Sequence, residues 1–120
     1  MVNILVVDDE LSLRKLIKTN LVASGYSVTT AKSGEDGLKL AQFMKPDLIL
    51  TDIKMPGISG WDVLTNLRSS PKLRQVPVLI STAYLSPNDE ARTKEFGVSY
   101  LAKPFSVSDL QAHVKKALGE

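Results

Sequence analysis

The sequence predicts an α/β domain: a doubly wound sheet of five parallel strands with helices on both faces. Three observations carry that expectation. Short apolar runs alternate with longer stretches of helical spacing, in the order βαβαβαβαβα. Gly, Pro and Ser punctuate the joins. At 120 residues the chain has room for one ordinary domain and not for two. Strands separated by helices pair in parallel through right-handed crossovers, which places helices on both sides of the sheet.

Asn3 to Val7 is a short apolar run and reads as a buried strand. Leu11, Leu13, Leu16, Ile17 and Leu21 recur at helical spacing, and Gly25 stands where that helix stops. Tyr26 to Ala31 alternates and carries Val28, Thr29 and Thr30, the pattern of an edge strand with one wet face. Ser33-Gly34-Glu35 opens a second helix bearing Leu38, Leu40, Ala41 and Phe43, and Pro46 ends it. Asp47 to Thr51 is the central strand. It runs apolar into Asp52, and the Pro56-Gly57 pair stops it.

Ser59-Gly60-Trp61-Asp62 starts a third helix with Val63, Leu64 and Leu67 inward, broken by Ser69-Ser70-Pro71. Val76 to Ser81 is a fourth strand, with Pro77 near its start, where a missing N–H is tolerated. Ser86-Pro87-Asn88-Asp89-Glu90 supplies a capping hydroxyl, a first-turn proline and acids that suit the helix dipole. Gly97 ends that helix. Val98 to Ala102 is a fifth strand, cut off by Lys103-Pro104. Ser106 to Leu110 opens the last helix, which runs through Val114, Ala117 and Leu118.

Composition narrows the function classes. An apolar share of 43% and a charged share of 23% are those of a soluble globular protein. There is no cysteine, which excludes disulfides and thiolate metal sites. No apolar run approaches the length of a membrane span. The N-terminus lacks a basic lead and enters an acidic pair at once, so it reads as a first strand rather than a signal peptide, and a cytoplasmic protein is expected. A net charge of +2, with basic residues scattered among acidic ones, gives no case for direct nucleic-acid binding.

In open α/β sheets the functional site lies beyond the carboxyl ends of the strands, where strand order reverses. The residues there are Asp8 and Asp9 after the first strand, Asp52 after the third, Thr82 after the fourth and Lys103 after the fifth. Ala31-Lys32, after the second, contributes nothing evident. Three anions do not share a rim unless something neutralises them, and one lysine is too little. A hard divalent cation completes the set, and magnesium suits oxygen ligands with waters left for a phosphate. Lys103 can then pair with a phosphate oxygen, Thr82 can hydrogen-bond another, and Asp52 is left as a nucleophile that forms an acyl phosphate.

Taken singly, each residue has an ordinary reading. An Asp at a strand end caps or turns the chain, Lys103 before Pro104 ends a strand, and Thr82 is β-branched in a strand. Their joint placement is what points to one site. Met44, Met55 and Trp61 read as packing residues, and His113 as a surface residue without a partner. No Ser-His-Asp arrangement or glycine-rich phosphate loop is present.

The chain resembles the receiver domain of two-component response regulators over its whole length, residues 1–120. The matching pieces are Val6 to Glu10, Pro46 to Pro56 with Gly60, Ser81-Thr82-Ala83, and Tyr100 to Phe105. The resemblance implies a flavodoxin-like fold with strand order 2-1-3-4-5. It implies that Asp52 accepts a phosphoryl group from a sensor histidine kinase or phosphotransfer protein. It makes Asp9, Asp52 and the backbone carbonyl of Lys54 direct ligands of magnesium, with manganese as the alternative, and Asp8 a ligand through water. It makes Lys103 the phosphate-pairing lysine, with a cis peptide before Pro104. It makes Thr82 and Tyr100 a switch pair that repacks the surface of the fourth helix, fifth strand and fifth helix, where a downstream effector or output domain binds.

Such a domain is a signalling module that catalyses only its own phosphorylation and dephosphorylation, as a monomer or a phosphorylation-dependent dimer. In that family the positions of Lys54 and Tyr84 flank the route of the hydrolytic water, so the resemblance implies that these two side chains shield the acyl phosphate.

Three other classes fit less well. A metal-dependent phosphatase with an aspartyl nucleophile needs a D-x-D arrangement after the first strand and a cap; here Asp8 and Asp9 are adjacent and no segment is left for a cap. A flavodoxin-like electron carrier needs a Thr/Ser/Gly loop after the first strand, where Asp8-Asp9-Glu10 would repel its phosphate. A degenerate receiver would lack part of the set Asp8, Asp9, Asp52, Thr82 and Lys103.

Overall fold

A computed structural model describes residues 1–120. Strands β1 (Asn3–Val7), β2 (Ser27–Ala31), β3 (Leu48–Thr51), β4 (Val78–Thr82) and β5 (Ser99–Ala102) form one parallel sheet in the order β2-β1-β3-β4-β5. Helices α1 (Leu11–Ala23), α2 (Gly34–Met44), α3 (Gly60–Ser69), α4 (Pro87–Phe96) and α5 (Val107–Ala117) connect and follow them. The fold class and the strand order are those expected. No helix is long and apolar enough to cross a membrane.

Strand residues alternate between two cores, one on each face of the sheet. Leu5, Val7, Ile49 and Ile80 pack with Ala41 of α2 and with Trp61, Val63, Leu64 and Leu67 of α3. Ile4, Val6, Leu48, Leu50, Leu79 and Leu101 pack with Ile17 and Leu21 of α1 and with Leu110 and Val114 of α5. Because β1, β3 and β4 are covered on both faces, their sequences read as nearly unbroken apolar runs.

The sheet register builds the site. Val7 pairs with Thr51, so the next residues, Asp8 and Asp52, leave the sheet side by side. The backbone N–H of Asp52 donates to Val7 at 3.0 Å, and that of Asp8 to Ala31 at 3.1 Å. Thr82 pairs with Ala102, and the N–H of Lys103 donates to the Thr82 carbonyl at 3.0 Å. Chain order reverses between β1 and β3, so the two acids stand at the switch point.

Several details depart from the sequence expectation. Leu11 and Leu16 of the first apolar pattern and Phe43 of the second are exposed. On α1 the stripe that meets the sheet is Leu13, Ile17 and Leu21, spaced by four; Leu16 falls a third of a turn away. Phe43 lies two residues beyond buried Ala41, on the opposite side of α2. Strand β4 begins at Val78 rather than Val76, although the Pro77 carbonyl still accepts from the Ile49 N–H at 3.0 Å. Val98 is not in β5, because its N–H is spent on Thr93 at the end of α4. Helix α2 ends at Met44, and its C-cap Lys45 takes a left-handed conformation (φ 50°) ahead of Pro46.

Gly60 shows how tightly α3 is pressed against the segment leaving β3. Its N–H donates to Ile53 at 2.8 Å. A Cβ there would lie 2.2 Å from the carbonyl oxygen of Asp52, a backbone atom that cannot swing aside. We therefore expect Gly60→Ala to destabilise the fold by about 1–3 kcal/mol or more, read from urea unfolding midpoints. A loss below about 0.5 kcal/mol, the range of neutral surface changes, would show that α3 has freedom to shift.

Candidate phosphoacceptor site

The rim at the carboxyl ends of β1, β3 and β5 gathers three carboxylates around one ammonium group. Asp8 is buried and both of its oxygens are engaged. Oδ1 accepts from the Glu10 N–H at 2.9 Å, and Oδ2 accepts from Lys103 Nζ at 2.7 Å. Asp52 Oδ1 accepts from the Ile53 N–H at 2.7 Å, and Oδ2 accepts from the same Nζ at 3.0 Å. Lys103 thus bridges the acids that end β1 and β3. Asp9 is exposed. Its carboxylate lies within 4.8 Å of those of Asp8 and Asp52.

The charges decide what this arrangement can hold. Burial works against the ammonium of Lys103. Hydrogen bonds and opposite charge from Asp8 and Asp52 outweigh it and hold its pKa above the ordinary 10.5. One positive charge still faces three negative ones. All the convergent ligand atoms are carboxylate oxygens, the donor type of hard divalent cations, so the cluster can hold such an ion.

The other expected residues lie around this centre. Thr82 is buried at the end of β4, and its hydroxyl donates to the Tyr84 carbonyl at 3.4 Å. The Thr82 carbonyl accepts from the Tyr100 hydroxyl at 3.3 Å, which links these two residues directly. Lys54 is exposed, with Nζ 5.6 Å from the centroid of the Tyr84 ring. The Lys103–Pro104 peptide bond is cis, as expected. His113 sits away from the rim, with Nδ1 2.8 Å from the Asp109 carbonyl of its own helix.

Two features were not read from the sequence. Arg14 Nη1 donates to the Asp8 carbonyl at 2.7 Å and braces the β1 end of the rim. Trp61, expected as a packing residue, is buried but also donates from Nε1 to Asp89 Oδ1 at 2.8 Å. Burial pushes the Asp89 carboxyl up. Hydrogen bonds from Trp61 and Ser86, with the charge of Lys54, overcome that and lower its pKa below the ordinary 3.8. The helix start at Ser86 was legible as a motif, but nothing in a linear pattern joins Asp89 to a tryptophan 28 positions earlier.

Comparison with known proteins agrees with this geometry. Residues 4–115 match the response regulator receiver domain family. The polar-differentiation response regulator DivK of Brucella ovis is 38% identical over 97% of this chain and 94% of its own length. The alkaline phosphatase synthesis transcriptional regulatory protein PhoP of Bacillus subtilis is 42% identical over 96% of this chain, which spans only 48% of PhoP. This chain covers about half the length of several such relatives. Among solved structures, chemotaxis protein CheY4 of Vibrio cholerae superposes with a TM-score of 0.92 at 30% identity, covering 98% of both chains.

The bridging lysine makes a testable electrostatic prediction. Replacing Lys103 with Met leaves Asp8 and Asp52 facing each other without their shared cation and should cost about 1–3 kcal/mol in urea unfolding. The Lys103 pKa is raised on folding, so its contribution is whole below the unfolded value of 10.5 and is lost as pH rises through the folded value. The stability gap between wild type and Lys103→Met should therefore hold steady up to pH 10.5 and narrow above it. A gap that widens with alkaline pH would contradict the bridge.

Proposed function

This chain belongs to the response regulator receiver domain family, and on that footing we propose that it is a phosphorylatable receiver with Asp52 as its acceptor. The observation that carries the proposal is Lys103 Nζ, 2.7 Å from Asp8 and 3.0 Å from Asp52. It is a cation already beside the acceptor oxygen and not committed to it alone.

The phosphoryl donor is the phosphohistidine of a sensor histidine kinase or phosphotransfer protein. An oxygen of Asp52 attacks phosphorus as the P–N bond breaks. The bonding pair leaves with the imidazole nitrogen, which takes up a proton, and Asp52 becomes an acyl phosphate. The chain contributes position and charge to this step. The Ile53 N–H fixes Oδ1 at 2.7 Å and so sets the rotation of the carboxylate. Lys103 meets the incoming phosphoryl oxygens. The hydroxyl of Thr82, held only at 3.4 Å by the Tyr84 carbonyl, turns to donate to one of them.

Asp8, Asp9, Asp52 and the Lys54 carbonyl are the residues that would hold magnesium or manganese; the three carboxylate oxygens already lie within 4.8 Å of one another. When bound, such an ion neutralises the acids and the phosphoryl oxygens.

The output follows from the same local change. Tyr100 is tied to Thr82 through its hydroxyl, so a shift of Thr82 reaches β5 and the α4-β5-α5 surface, where an effector or output domain docks. The whole of residues 1–120 acts as one such module, in the cytoplasm, as a monomer or a phosphorylation-dependent dimer, with no direct nucleic-acid contact of its own. It catalyses its own phosphorylation and dephosphorylation and turns over no other substrate.

Two measurements test this reading. Incubation with acetyl phosphate and magnesium should add one phosphoryl group by intact mass, and Asp52→Asn should abolish the adduct. A wild type that takes no adduct, or an adduct that persists in Asp52→Asn, would end the assignment. The Lys54 ammonium over the Tyr84 ring supports a shield across the water route to the acyl phosphate. Lys54→Asn/Tyr84→Ala should then dephosphorylate several-fold faster than wild type; equal rates would remove the shield.

A further inference from the structure

Helix α4 is lightly anchored. Only Thr93 of its 10 residues is buried, and most of the sequence PNDEARTKEF is polar or charged. Segments with little buried apolar surface open at low free-energy cost. The specific contacts that hold α4 centre on Trp61 of α3, the only tryptophan in the chain. Its indole N–H reaches Asp89 in the first turn of α4 at 2.8 Å. The guanidinium of Arg92 lies 5.9 Å from its ring centroid. Phe96, the last residue of α4, stacks on it with centroids 6.0 Å apart and planes 14° apart. Trp61 is itself part of the core packed against the sheet, so it presents α4 with a fixed surface.

Asp89 does more than receive that bond. Its Oδ2 accepts from the Ser86 N–H at 3.2 Å, while its own N–H donates to Ser86 Oγ at 3.1 Å. One carboxylate therefore both closes the N-terminal cap of α4 and accepts the hydrogen bond of the indole N–H. It also feels the charge of Lys54, two residues past Asp52.

We infer that Trp61 and Asp89 are positioning residues: a clasp that holds α4 in its unphosphorylated place and so sets how tightly the acceptor site binds a phosphoryl group. This rests on the receiver reading above. If α4 moves when the site is occupied, the indole bond must part or be rebuilt, and that free energy is withdrawn from ligand binding. By linkage, loosening the clasp tightens the site by the same factor. A role confined to stabilising the fold predicts no gain in affinity.

The test is calorimetric titration of beryllofluoride, a phosphoryl mimic, at fixed magnesium. Trp61→Phe removes the N–H donor but keeps an aromatic ring against Phe96; Asp89→Ala removes the acceptor. Each should bind about fivefold tighter than wild type or better, the lower end of usual coupling factors. Asp89→Ala also loses the α4 cap, so the double variant should bind no tighter than Asp89→Ala alone, because the indole bond that Trp61→Phe removes is already gone there. In the wild type, Trp61 emission should change on saturation. Single variants that bind like wild type or more weakly, additive gains in the double variant, or unchanged wild-type emission would overturn the clasp. A wild type that binds no beryllofluoride would instead overturn the receiver reading on which it rests.

Discussion

One ammonium group between two carboxylates is the contact on which the rest of the rim depends. Lys103 Nζ holds Asp8 and Asp52 together at 2.7 and 3.0 Å, in a setting where its side chain is only 15% exposed. Without that charge, two acids brought side by side by sheet pairing would repel each other at the end of the buried core. With it, the rim still carries an excess of negative charge, since Asp9 adds a third carboxylate. The site is folded yet incompletely neutralised, and its convergent carboxylate oxygens can hold a cation.

The fold supplies this arrangement by register rather than by any special local motif. Asp8 and Asp52 are adjacent because Val7 and Thr51 are paired. Lys103 reaches them because β5 lies in register with β4, and its own N–H is fixed to Thr82. Rigidity comes from strands buried on both faces, while the loops that carry Lys54, Tyr84 and Pro104 stay at the surface. The Tyr100 hydroxyl then ties β5 to the end of β4, and the Trp61 indole ties α3 to α4.

Much of this was legible in the sequence. Alternation of apolar runs with helical stripes placed all ten elements, because strands covered on both faces leave a strong pattern. The five rim residues were legible because each stands at or just past the carboxyl end of a strand. Strand order was not visible in the pattern itself and came from the family resemblance. The exposure of Leu11, Leu16 and Phe43 was not legible, because an apolar residue in a helix does not announce which side of a marginal stripe it joins. The double pairing of Lys103 was hidden, since a sequence gives the charges but not which acids share a cation. The Trp61–Asp89 bond was hidden for the same reason: its geometry arises only when α3 and α4 pack.

The central claim is that Lys103 is the counter-ion of the resting site and is released to the phosphoryl group when Asp52 is modified. A crystal structure of the magnesium–beryllofluoride adduct tests it most directly. The predicted result is beryllium bonded to an Asp52 oxygen, Lys103 Nζ within hydrogen-bond distance of a fluoride and withdrawn from Asp8, and the Asp8 carboxylate turned toward the metal. A structure in which Lys103 still bridges Asp8 and Asp52, with the beryllium group bound elsewhere, would contradict it.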